Sequence, residues 1–163
     1  MPIPDTLLVA VCRFGPDLTA ERAAETIAKG VLAAGQPAPD LCPIEGDGLG
    51  RARASANADA GGAGRESAGT LGAALNAVDF DARLRRARAV IVGAERLSRE
   101  TLQGSPVFEI ATRARQAGVP AYAVTAHNEL DPFDARMLDL QVVLEANGSR
   151  GLSAAGRKLA EIA

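Results

Sequence analysis

Five stretches of the chain are apolar almost without interruption: Thr6 to Cys12, Leu41 to Ile44, Ala89 to Val92, Ala121 to Val124 and Leu140 to Leu144. Alternating apolar and polar residues would mark strands wetted on one face. Continuous runs of this length mark strands covered on both faces, as in a parallel sheet. Between them the apolar residues recur at helical spacing. Ala23, Ala24, Ile27, Val31 and Leu32 share a face, with Thr19 as the capping residue and Gly35 as the stop. Residues from Ala68 to Val78 are weakly helical because of Gly69 and Gly72, and Asp79-Phe80-Asp81 begins a further turn through Arg86. Val107 to Ala117 is amphipathic and ends at Gly118. Pro132 behind Asp131 opens a short helix to Leu138. Leu152, Ala155, Leu159 and Ile162 give a closing helix laid on the sheet.

The third run is expected to close at Gly93. From Glu45 to Gly64, Gly, Ala, Ser and Asn take over with no period, so 45–64 is expected to be a mobile loop or linker. Strands alternating with helices imply right-handed crossovers. They predict an α/β, three-layer Rossmann/flavodoxin-like domain, with a mostly parallel sheet of about five strands flanked by helices. Ligands of such folds bind beyond the carboxyl ends of the strands. Arg13 to Leu18, Glu45 to Arg51 and Gly93 to Ser105 should therefore meet at one edge and form the site.

Length and composition narrow this picture. The 163 residues suit a single domain spanning the whole chain. Aromatics are only 3% and Trp is absent, so the core must be built from Ala, Leu, Val and Ile, which let elements approach closely. A formal net charge of -2 argues against nucleic acid as a partner, and the arginine run from Arg83 to Arg88 reads as the solvated face of a helix. Lysine occurs only at Lys29 and Lys158 while Arg, Ala and Gly abound, the usage of a GC-rich bacterial genome. Cys12 and Cys42 stand in no metal-binding spacing and read as small core residues, and His127 reads as a surface or loop histidine, so no metal site is expected. With no basic leader and no apolar run near the roughly 18 residues a span requires, the expected location is cytoplasmic, with no membrane association.

The segment FDARLRRARAVIVGAERLSRETLQGSPVFEIATRARQAGVPAYAV, from Phe80 to Val124, resembles the glycerate kinase family. There a buried strand runs into a loop of the form GEGRxDxQTxxGK, then a helix, then the strand GVPV. Gly93, Arg96, Thr101 and Gly104 stand at matching positions. LDPFDARMLDLQVVLEANGSRGLSAAGRKLA is similar to the family's closing helices. Near the start, Ala10, Phe14, Leu18 and Ala20 match an opening of the form APDSFKGSLSA. CPIEGDGLG keeps Pro43, Gly48 and Gly50 of a segment like LPxADGGEGT. The resemblance implies the nucleotide-fold half of a kinase that phosphorylates D-glycerate with ATP and magnesium. It also implies that residues 45–64 stand where the family carries a second domain.

The departures fall on the chemistry. Phosphoryl transfer needs cations on the phosphates, carboxylates for magnesium and a positioned hydroxyl. Where the family has Asp and Lys in the first loop, this chain has Cys12 and Gly15. Gly46 and Leu49 replace Asp and Glu in the second, and Ala94, Ser98 and Ser105 replace Glu, Asp and Lys in the third. The expectation is a glycerate-kinase-like domain without kinase activity of its own and with no catalytic residue. It would serve as a protein-interaction domain or bind a small anionic metabolite, glycerate or phosphate-like, through Arg13, Asp17, Asp47, Glu95, Arg96 and Thr101. Arginine forks and a helix N-terminus near Thr101 to Pro106 would supply the donors. Magnesium and ATP would be cofactors only under the alternative, an active kinase completed by a partner chain. Loss of a covering domain leads to the further expectation of a homo-oligomer.

Overall fold

In a computed structural model, residues 4–44, 71–99 and 104–163 are described. The elements are β1 (Thr6–Val11), α1 (Ala20–Ala33), β2 (Asp40–Leu41), α2 (Phe80–Arg85), β3 (Ala87–Leu97), α3 (Pro106–Ala117), β4 (Ala121–Asn128), α4 (Pro132–Met137), β5 (Leu140–Glu145) and α5 (Gly148–Ile162). Residues 71–77 are also helical. The five strands form one sheet in the order β2-β1-β3-β4-β5, every pair parallel. The expected loop at 45–64, with Asp47, lies outside the described residues, as does Thr101.

The continuous apolar runs sort into two faces. Leu7, Val9, Val11, Ile91 and Val124 pack under α1 and α5, against Ile27, Val31, Leu152 and Leu159. Leu8, Ala10, Val90, Val92 and Ala123 pack under α2 and α3, against Phe80, Leu84, Val107 and Ile110. With so few aromatics, close approach of backbones fills the volume. A Cβ on Gly30 would strike the Ser153 carbonyl oxygen, and one on Gly156 would strike that of Ile27, so α1 and α5 touch through their glycines. Thr19 caps α1, its Oγ1 accepting from the Arg22 N–H at 3.2 Å. Asp131 caps α4 at 2.8 Å. No described helix is long and apolar enough to cross a membrane.

Three details differ from the reading of the sequence. The second run is a regular strand only at Asp40–Leu41, yet Cys42 N and Ile44 N still donate to Val9 O and Val11 O at 2.8 and 2.9 Å. Pro43, which has no N–H, sits between them where an edge strand tolerates it. Gly93 does not end β3, which runs four residues further to Leu97. Its lack of a side chain serves packing, because a Cβ there would lie 2.9 Å from Val11 Cγ1 and 3.1 Å from the Val124 carbonyl oxygen. The arginine run is not one wet helix face either. Arg83 grips both oxygens of Asp40 at 2.8 and 2.7 Å and the Leu41 carbonyl at 2.7 Å, tying α2 to the edge strand. Arg88 lies on β3 and reaches Asp5 at 3.5 Å.

Candidate functional site

In the strand order 2-1-3-4-5 the chain leaves β1 in one direction and β3 in the other, and the crevice beyond their carboxyl ends is the usual ligand position. The last link between the two strands is Cys12 N to Gly93 O at 2.9 Å. Beyond it β1 turns away: Phe14 N bonds Leu18 O at 2.9 Å, with Gly15 at φ 84°. β3 and β4 continue together, pairing Ala94 with Thr125, Arg96 with His127 and Leu97 with Asn128. The fully buried Thr125 hydroxyl lies 3.1 Å from Glu95 O and 3.3 Å from His127 O, bracing this two-stranded extension.

The expected site residues distribute around the extension. Arg13 is exposed, and its guanidinium folds back on its own loop, donating to Gly15 O and Pro16 O, both at 3.1 Å. Glu95 is brought against that loop, its Oε1 3.3 Å from where a Cβ on Gly15 would stand. Asp17 is exposed on the same turn. Arg96 follows Glu95 on β3 and is exposed at the carboxyl edge. There it pairs with Glu129, Nη1 to Oε1 2.7 Å, beside its cross-strand neighbour His127. Glu129 was not singled out from the sequence and His127 was read only as a surface or loop histidine, because only the continuation of β3 and β4 past Gly93 brings them to Arg96.

Cys12 packs against the apolar cluster, and burial pushes its thiol up to about 12. Cys42 is also raised by burial, with Arg83 lowering it and Asp40 raising it. Ser98 is buried at 7% exposure. Ser105 caps α3, accepting from Phe108 N at 3.2 Å, with Pro106 in the first turn and Gly118 at φ 71° closing the far end. No cluster of three or more potential metal-ligating side chains occurs among the described residues. A separate open groove of about 840 Å3 lies between 71–77, α2 and α3. It runs toward the amino ends of the strands, and Arg113 within it is held by Glu109, Asn76 and Asp81.

The sequence profile of the glycerate kinase family matches residues 60–151, more than half of the chain, including β3, α3, β4 and β5. The chain belongs to the glycerate kinase family. No curated protein matches it. Among solved structures, the crystal structure of a pilus assembly-related protein from Burkholderia pseudomallei is similar at 15% identity, with a TM-score of 0.45 over 99% of this chain and 94% of that one. Within the glycerate kinase family frame, of two positions where the family motifs carry Asp, Ser98 is buried here and Cys12 is partly buried. Of the two Lys positions, one is a turn glycine and the other a helix cap.

Proposed function

We propose that this glycerate kinase family domain does not transfer phosphate on its own and instead binds a small hydroxy-acid or phosphate-like anion at the carboxyl edge of its sheet. The observation that carries the reading is the burial of Ser98, together with Cys12, which packs partly buried against the apolar cluster. A carboxylate would lose most of its hydration at position 98 and part of it at position 12, and an isolated buried carboxylate takes up a proton rather than hold a cation. The described donor set does not fit magnesium-ATP: Asp17 and Glu95 are exposed, and Gly15 and Ser105 bring no positive charge to a triphosphate. No step is therefore routed through that cofactor. Arg13 remains exposed, and its fork can exchange two loop carbonyls for the oxygens of a carboxylate, a stronger charge-assisted pairing. Glu95 and Asp17 would accept from ligand hydroxyls.

Titration with D-glycerate and with inorganic phosphate, followed by amide chemical shifts, tests this. Saturable shifts around Gly15 and Gly93 that weaken about tenfold in Arg13→Ala, the loss of one charge-assisted contact, are expected. Absence of saturable shifts with either anion would remove the binding reading. Self-association belongs to the same proposal, supported by Phe133 and Met137, 67% and 60% exposed one turn apart on α4.

A further inference from the structure

Resting on the reading of the carboxyl edge as an anion site, we infer that Glu129 is a built-in competitor that lowers the affinity of anions for Arg96, most for those of highest charge. Three features of the extension support this. The Arg96 and Glu129 side chains are joined at 2.7 Å, and both are about half exposed, at 54% and 50%, so a dissolved anion can reach the guanidinium that Glu129 already occupies. His127 is paired with Arg96 across β3 and β4, so its ring and the guanidinium share one face and could both donate to an anion placed between them. Glu129 is fixed rather than trailing, because its backbone N–H donates to Leu97 O at 2.8 Å and carries the two-strand ladder one step further.

An anion approaching Arg96 therefore meets a carboxylate seated on the fork. It binds only by displacing that carboxylate and then tolerating its charge nearby. An exposed ion pair is weak, so the competition is a threshold and not a block. Breaking the internal pair costs every anion the same, while the displaced carboxylate repels a phosphate, with its greater charge, more than it repels a monoanion. Glu129 thus acts as a specificity-determining residue for the Arg96 fork.

The test is a chemical-shift titration with inorganic phosphate and with D-glycerate of the whole chain, Glu129→Gln, Arg96→Ala and the double variant. All substitutions are at exposed positions, and unchanged shifts in α1 and α5 would verify the fold. The expected result is binding of both anions tightened about two- to fivefold in Glu129→Gln, as the release of an exposed pair permits. The gain should be at least as large for phosphate as for glycerate and absent from the double variant. If the unaltered chain binds, Arg96→Ala weakens it and Glu129→Gln changes nothing, the competition is refuted while the anion reading stands. A gain that persists in the double variant would show a general charge effect and also refute it. No saturable shift in any of the proteins would overturn both readings.

Discussion

Cys12 shows how a single replacement changes what an edge can do. Its thiol ionises in the unfolded chain near the ordinary value of 9.0 but holds its proton in the fold up to about 12. The folded-state value is raised, so the contribution to stability is complete below about pH 9 and is lost as the pH rises toward 12. Denaturant midpoints should fall over that window, and the fall should be smaller in Cys12→Ala than in the unaltered chain. Equal slopes would mean that Cys12 is not enclosed. The same enclosure makes Cys12→Asp costly: loss of about 2 kcal/mol or more is expected at neutral pH, relieved as the pH is lowered and the carboxyl is protonated. Equilibrium unfolding at two pH values checks this. Gain of stability at neutral pH would show that the site accepts a carboxylate as the family's does.

The elements follow from pattern and packing in different degrees. The continuous runs from Leu7, Ala89 and Ala121 are buried on both faces, and Thr19, Asp131 and Gly118 stand at helix ends as their chemistry dictates. Those features are local, and they were legible. The length of β3 was not, because Gly93 reads as a terminator until the neighbouring Val11 and Val124 are known to crowd it. Arg83 was misleading for the same reason: its acceptors on Asp40 and Leu41 are more than forty residues away in sequence. At the site, Glu95 and Arg96 could be placed at the edge from sequence, but the partner Glu129 depends on strand continuation. The Gly30 contact between α1 and α5 gives a sharp test. Gly30→Ala must push the helices apart at backbone level, so a loss of about 2 to 3 kcal/mol is expected in urea unfolding despite the gain in helix propensity. A neutral or stabilising effect would contradict the contact with Ser153.

For the molecule as a whole, the fold of a kinase family is kept while its charge-bearing edge is altered. The all-parallel sheet still opens at β1 and β3, but the surroundings there are a thiol, a turn glycine, a buried serine and two arginines engaged with acceptors of the protein itself. Self-association would show in sedimentation or light scattering at tens of micromolar, a concentration sufficient for any dimer of about micromolar affinity, and a monomer at that concentration would count against it. The most direct measurement is a coupled assay for phosphoglycerate formed from D-glycerate and magnesium-ATP by the purified chain, with a full-length glycerate kinase run alongside. Misplaced or absent charge at several positions should remove the stabilisation that makes phosphoryl transfer fast, so no turnover above background is expected at any substrate concentration. Turnover within about a thousandfold of the full-length enzyme, abolished by Arg13→Ala or Arg96→Ala, would contradict the account.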